Sequence, residues 1–111
     1  MEPDITVFEI SGRLNLGNLL QTAESAIRGL IDGGARKLVI DVTGLHAIDS
    51  SGVGTLISCA GQMDQAGGQV HLAGAQGSVA KIFEMVHMSR IIPLHADLAA
   101  ACGSFSNSAT A

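Results

Sequence analysis

The sequence has few aromatic residues and few basic ones. Its 111 residues include three Phe but neither Trp nor Tyr, so an interface would lack the large aromatic anchors that usually dominate binding. Six residues are Lys or Arg against ten Asp or Glu, and the basic ones are scattered. This distribution excludes the positive stripe that nucleic acid or an anionic membrane surface requires. We therefore expect protein or small-molecule partners and no nucleic acid.

Secretory and membrane segments are also missing. The N-terminal MEPD is acidic and is not followed by the apolar region of a signal peptide, and no run approaches the ~18 apolar residues of a membrane span. The only cysteines, Cys59 and Cys102, do not form a CxxC pair, and we expect them to be buried, reduced thiols. These absences favour a cytoplasmic protein without direct membrane insertion, and the length suits one domain.

The apolar pattern alternates between strand-like and helix-like segments. The segment KLVIDV (37–42) is almost continuously apolar, as expected of a central strand covered on both faces. Pro93 places the last strand near an edge. This order predicts an α/β fold with a mixed, mostly parallel sheet of four to five strands packed with about four helices. The predicted strands are 5–10, 37–42, 70–73 and 91–94, the predicted helices are 16–31, 52–66, 79–87 and 96–102, and residues 103–111 are predicted to be disordered.

One dense polar cluster, DSSG (residues 49–52), lies within AIDSSGVGTL at a predicted junction between a loop and a helix. Asp49, Ser50 and Ser51 are all good N-cap types, and one of them should accept a hydrogen bond from the first N–H groups of a helix beginning near Gly52. A helix N-terminus carries roughly +0.5 charge, so it welcomes an anion. Taken alone, the cluster is also explained as a simple helix cap.

The surrounding sequence resembles the STAS domain, a module of sulfate-transporter tails and bacterial anti-sigma factor antagonists. The match consists of the strand LVIDV, a short loop ending in an apolar residue and Asp-Ser-Ser-Gly, and a helix that opens apolar-Gly-x-x-apolar. ISGRL near the start, QAGGQVHLAG, and KIFEMV followed by IIPL support it. The resemblance implies a single STAS-like domain over residues 1–102.

The resemblance implies a phosphorylation switch at Ser50, the serine directly after the aspartate. The unphosphorylated protein would bind a serine-kinase anti-sigma factor and release a sigma factor. Phosphorylation would abolish binding, and a serine phosphatase would restore it. Asp49 would shape the loop, Gly52 would permit close approach, and Ser51 is interpreted as a cap rather than as the phosphoacceptor. Val53 and Thr55 are added as candidate rim contacts.

The chain departs from the family pattern at three places. Asn15 stands where relatives often have Asp near the same functional surface, which affects partner contact or phosphate handling. His87 stands where a Gly often follows the third helix, a position that suits a left-handed residue. Only residues 1–4 precede the first predicted strand, where many members have another strand.

Other functional classes have weaker support in the sequence. GVGTLI lacks the third glycine of a dinucleotide fingerprint, and the four histidines have no metal-ligand spacing. A serine hydrolase would need a base near Ser50 or Ser51, and GxSxG is absent. We therefore predict no enzyme activity, no cofactor and no metal. The alternative within the same fold is a cytoplasmic accessory subunit of a membrane transporter, for lipids or anions, that has no phosphorylation cycle.

Overall fold

The computed structural model describes residues 4–14 and 17–109, without the side chains of residues 18–19 and 106–109. Strands and helices alternate along most of the chain, as the apolar pattern predicts. The elements are β1 (Ile5–Glu9), β2 (Gly12–Leu14), α1 (Asn18–Asp32), β3 (Lys37–Asp41), β4 (Leu45–Ile48), α2 (Ser50–Gln65), β5 (Gln69–Ala73), α3 (Gly77–Met85), a 3₁₀ turn (Met88–Arg90), β6 (Leu94–His95) and α4 (Leu98–Ala109).

Four strands form a parallel sheet in the order β1-β3-β5-β6, and β2 and β4 form a separate parallel pair. The predicted central strand is confirmed, because β3 pairs with a strand on each side. Its residues Leu38, Val39 and Ile40 are fully buried. The predicted edge position after Pro93 is also confirmed, because β6 ends the strand order. The α/β fold class follows from these pairings.

A separate hydrophobic core lies on each face of the four-stranded sheet. The alternation of β1 places Phe8 against the large core, which α1, α2 and α3 cover. Ile5 and Val7 point to the opposite face, where α4 packs against β3, β5 and β6. The smaller core on that face also contains Val39, Ala73, Ala101, Cys102 and Phe105. Helices therefore cover both faces, as the continuous apolar character of β3 requires.

Two strands were not predicted from the sequence. β2 and β4 contain three and four residues, which is too short for a period-2 pattern to emerge from the loops around them. The last strand is also displaced from its predicted position at 91–94. The 3₁₀ turn leaves Ile91 exposed and Ile92 buried, and pairing begins only at Leu94.

The last helix is longer than predicted. The sequence places its end at Gly103 and a disordered tail over residues 103–111, whereas α4 continues to Ala109. Phe105 is the physical reason, because its side chain is 2% exposed and packs in the smaller core. One well-placed aromatic residue therefore anchors a segment whose overall composition is too polar to suggest packing.

The backbone at His87 is left-handed, with φ of 55° and ψ of 43°. It is the one non-glycine residue with positive φ in the part of the chain that the structure describes. The expectation that this position suits a left-handed residue is confirmed. Histidine is tolerated in this conformation better than bulky or branched residues are.

Candidate functional site

The DSSG segment lies where β4 ends and α2 begins. Leu14 and Ile48 are the final paired residues of β2 and β4, and the backbone N–H of Asp49 donates to the Leu14 carbonyl at 3.3 Å. The segment therefore extends from the carboxyl end of a parallel pair directly into a helix. This is the position at which α/β proteins commonly bind ligands and partners.

Asp49 is the N-cap of α2. Its carboxylate accepts a hydrogen bond from the Gly52 N–H at 3.0 Å, and its carbonyl accepts one from the Val53 N–H, also at 3.0 Å. The helix begins at Ser50 rather than near Gly52. The interpretation of Ser51 as the cap is corrected accordingly, because Asp49 holds the extended backbone conformation of a cap and Ser51 lies inside the first turn.

Gly52 is required by packing inside the domain. A Cβ atom at this position would overlap the Leu14 carbonyl oxygen and lie 2.7 Å from Cγ1 of Ile48. The close approach at this residue is therefore made by the protein's own β2 backbone, not by a partner. Gly54, one residue beyond Val53, is exposed and has open space around its Cα.

The predicted site residues differ in exposure. Asp49 and Ser50 are exposed and Ser51 is half-buried. Val53 and Thr55 are each 8% exposed, so neither offers its side chain to a partner while the domain is folded. Asn15 lies outside the described residues. The part of the segment that a partner or a modifying enzyme can reach is thus the Asp49–Ser50 corner.

The N-terminus of α3 is hydrogen-bonded to β4 and to the loop before it. The Ser78 hydroxyl donates to the His46 carbonyl at 3.3 Å, and the Gln76 amide donates to the Thr43 carbonyl at 3.0 Å. Sequence reasoning missed these contacts, since neither polar residue belongs to a recognisable motif. Together with the packing of Gly52, these hydrogen bonds fix the backbone that leads into Asp49 and Ser50.

The charges within the DSSG segment come from Asp49 and from the helix N-terminus. The first turn of α2 contains no acidic residue, so Asp49 is the only carboxylate within the DSSG segment. The N–H groups of a first helical turn lack carbonyl partners within the helix and carry partial positive charge. Ser50 therefore presents a hydroxyl that is accessible, locally fixed and close to donors suited to a phosphate.

The buried Cys59 lies away from the DSSG segment, inside the large core. Burial raises the pKa of the Cys59 thiol to about 11, with the charge of Glu24 adding to the effect, so this cysteine remains an unreactive thiol. Within residues 4–14 and 17–109, no group of three or more His, Cys, Asp and Glu side chains is arranged to hold a metal ion. No helix in the same ranges has the length and apolar character to cross a bilayer.

Comparisons with known proteins agree with this architecture. The family model described as STAS domain matches residues 1–101. A candidate anti-sigma factor antagonist from Thermotoga maritima has a similar fold, with a TM-score of 0.79 and 16% identity over 94% of this chain and 89% of that one. The SulP transporter STAS domain from Vibrio cholerae gives a TM-score of 0.77 and 14% identity over 100% of this chain and 88% of its own.

A third similar structure is that of a phosphorylated protein. It is the Bacillus cell fate determinant SpoIIAA in its phosphorylated form, with a TM-score of 0.72 and 19% identity over 94% of this chain and 93% of that one. The unphosphorylated form, described as an anti-sigma factor antagonist, matches with a TM-score of 0.66 and 20% identity over 88% and 84% of the two chains. At these identities the likeness establishes the fold.

Proposed function

The chain belongs to the STAS domain family, and from this premise we propose that it is an anti-sigma factor antagonist controlled by phosphorylation of Ser50. The unphosphorylated protein binds a serine-kinase anti-sigma factor and thereby releases a sigma factor. The kinase phosphorylates Ser50 and ends the interaction, and a serine phosphatase restores it. The observation that carries this proposal is the exposed Ser50 hydroxyl, fixed at the first residue of α2 beside the capping Asp49.

The helix N-terminus explains how the domain tolerates a phosphate at Ser50. A phosphoserine carries about −1.5 to −2 charge at neutral pH, and the first turn of a helix stabilises such a group by roughly 0.3 to 2 kcal/mol. Asp49 opposes this through its own negative charge. Because both groups are exposed, solvent screens their repulsion, and the fold persists in the phosphorylated state.

The same charge acts differently when a partner covers the corner. A docked protein would remove the phosphate and Asp49 from water without supplying compensating donors. Burying such an uncompensated charge costs several kcal/mol, of the order of the 3–5 kcal/mol measured for broken buried ion pairs. Phosphorylation therefore abolishes binding and leaves the domain folded.

The proposal is tested by incubating the protein with ATP and each serine-kinase anti-sigma factor of the source genome. The modified residue is then mapped by fragmentation, because the tryptic peptide 38–81 contains Ser50, Ser51, Ser58 and Ser78 together. We expect phosphate on Ser50, no incorporation into Ser50→Ala and normal incorporation into Ser51→Ala. Phosphate on another serine, or incorporation that survives Ser50→Ala, would refute the assignment.

The likeness to the SulP transporter STAS domain supports a second candidate, an accessory subunit of a membrane transporter that has no phosphorylation cycle. In that case the DSSG segment is only a helix cap. Co-purification with transporter subunits, combined with no phosphorylation by any of the kinases, would favour this function.

A further inference from the structure

A buried polar cluster lies beneath α4, on the sheet face opposite α1 and α2. Its centre is His71 of β5, which is 5% exposed. The Nδ1 atom of His71 lies 3.0 Å from Nε2 of His95 and 2.9 Å from Oγ of Ser104. Its Nε2 atom lies 3.2 Å from Oε1 of Gln69. Both ring nitrogens of this buried histidine are therefore within hydrogen-bond distance of polar groups.

The two histidine rings meet edge to edge. Their centroids are 5.1 Å apart with 13° between the ring planes, while the facing nitrogens are 3.0 Å apart. Such nearly coplanar rings place both facing nitrogens close to the line between the centroids. This geometry suits a single N–H···N hydrogen bond, in which the N–H of one ring points at the lone pair of the other.

Helix α4 covers this pair with an aromatic ring and a hydroxyl. The Phe105 ring stacks on His71 with centroids 4.0 Å apart and 27° between the planes. The Ser104 hydroxyl donates to the Ala101 carbonyl at 2.7 Å, and its oxygen lies 2.9 Å from Nδ1 of His71. The docking of α4 therefore depends on the histidine pair as well as on apolar packing.

The hydrogen bond between the histidines requires one facing nitrogen to be unprotonated. If one of the two facing nitrogens carries a proton, it donates to the other and a hydrogen bond forms. If both carry a proton, two N–H donors face each other across 3.0 Å and no hydrogen bond forms. Full protonation also places two like charges beneath an apolar helix, where burial disfavours charge. The docked position of α4 is thus compatible with one proton between the facing nitrogens and opposed by a proton on each of them.

We propose that the His71–His95 hydrogen bond is a proton-sensitive latch that holds α4 on the sheet at neutral pH and releases it on acidification. The surface that α4 covers is apolar and includes Ile5, Val39 and Ala73. Release would expose this surface on the sheet face away from α2. The latch is independent of Ser50 and does not rest on the phosphorylation switch.

Several charged or titratable groups lie on the elements around His71. His95 faces His71 from β6, and Cys102 lies on α4. Lys37 begins β3 next to Gln69 and pairs with Asp4 at 3.0 Å. Asp64 of α2 and His71 line the same open groove of ≈ 490 Å³, and Asp97 caps α4 through the Ala100 N–H at 2.8 Å.

Burial of the ring, with the charge of His95 adding to it, lowers the pKa of His71 from 6.5 to about 4. The unfolded chain therefore binds a proton to this residue at a higher pH than the native protein does. The stability that neutral His71 contributes is complete above about pH 6.5 and is lost as the pH falls through about 4. Release of α4 should follow the same range.

The test is the pH dependence of amide exchange in α4, measured by NMR as protection factors for Ala101 and Cys102. Protection factors remove the intrinsic pH dependence of exchange. Between pH 7 and pH 4.5 we expect these values to fall by about tenfold or more, while the amide of Ile27 in α1 changes much less. In His71→Gln the α4 values should stay constant over this range. His46→Gln is the matched control, because His46 is exposed, and it should behave as the wild type.

His95→Gln provides a second, independent variant. It keeps His71 and a hydrogen-bonding side chain opposite it but removes the second charge, so only burial lowers the pKa of His71 and the loss of protection between pH 7 and pH 4.5 should be smaller than in the wild type. This variant decides the outcome if His71→Gln fails to dock α4 at neutral pH. A flat wild-type profile from pH 7 to 4.5, or the wild-type profile in both glutamine variants, would overturn the latch.

Discussion

At the scale of single residues, Asp49 caps α2 and Ser50 is the proposed site of phosphorylation beside it. The Asp49 carboxylate accepts the Gly52 N–H and fixes the start of α2. The Ser50 hydroxyl, one residue later, is exposed to solvent and to modifying enzymes. A cap that is separate from the proposed phosphoacceptor would allow phosphorylation of Ser50 without removing the hydrogen bond that begins the helix.

Replacing Asp49 tests its capping role. Asp49→Ala removes the acceptor for the Gly52 N–H and should lower the free energy of unfolding by about 1 kcal/mol. Asp49→Asn keeps a capping oxygen and should retain most of that stability. Urea denaturation of both variants measures the difference, and equal stability of Asp49→Ala and the wild type would show that the cap is not Asp49.

A negative charge at Ser50 should leave the fold intact. Ser50→Asp places a carboxylate in the first turn of α2, where the helix N-terminus and the nearby Asp49 act in opposite directions. We expect the free energy of unfolding to change by less than about 1 kcal/mol. Thermal unfolding monitored by circular dichroism checks this, and a loss of several kcal/mol would mean that phosphorylation acts by unfolding the domain.

Residue chemistry made part of the site predictable. Asp, Ser and Ser before a helical pattern identify an N-terminus, but they do not reveal which of the three is the cap. That assignment depends on the extended backbone at Asp49, which β4 imposes by ending at Ile48. The burial of Val53 and Thr55 could not be predicted for the same reason, since it follows from where the helix begins.

At the scale of elements, the contact between α2 and the β2–β4 pair determines how closely the first turn of α2, and with it Ser50, lies to the two strands. Gly52→Ala would drive a methyl group into the Leu14 carbonyl, so α2 must shift. We expect a loss of about 1–3 kcal/mol in the free energy of unfolding. Gly54→Ala is the matched control and should be neutral or stabilising by up to about 1 kcal/mol, because its position is open and helical. Equal effects of the two substitutions would contradict the close packing at Gly52.

The docking of α4 depends on Phe105. Phe105→Ala removes the ring that stacks on His71 and fills the smaller core, and it should lower the free energy of unfolding by about 3 kcal/mol. Phe105→Leu keeps most of the apolar volume and should lose less. Denaturation and amide exchange in α4 provide the measurement. If Phe105→Ala were as stable as the wild type, α4 would not be held by this residue.

Long, periodic elements could be predicted from the sequence, whereas elements created by tertiary contacts could not. The α1 and β3 patterns are regular because each element buries a continuous apolar face. β2 and β4 exist because they pair with each other at the edge of the large core, and no local pattern marks them. The C-terminal half of α4 likewise depends on a cavity for Phe105 that only the folded sheet provides.

At the scale of the whole molecule, the parallel sheet separates two features. The Ser50 corner lies beyond the carboxyl end of β4, while the His71 cluster lies under α4 on the opposite face from α1 and α2.

The chain has a net charge of −4, and a phosphate would add about −1.5 to −2. The change in charge is large for a small acidic domain, yet it is concentrated at one exposed point.

The most direct measurement is a calorimetric titration of the phosphorylated and unphosphorylated protein against the same serine-kinase anti-sigma factor, with Ser50→Ala as the control. The switch predicts binding by the unphosphorylated protein and by Ser50→Ala. It predicts a loss of about a hundredfold or more in affinity on phosphorylation, which corresponds to roughly 3 kcal/mol. Equal Kd values for the two forms would contradict the switch.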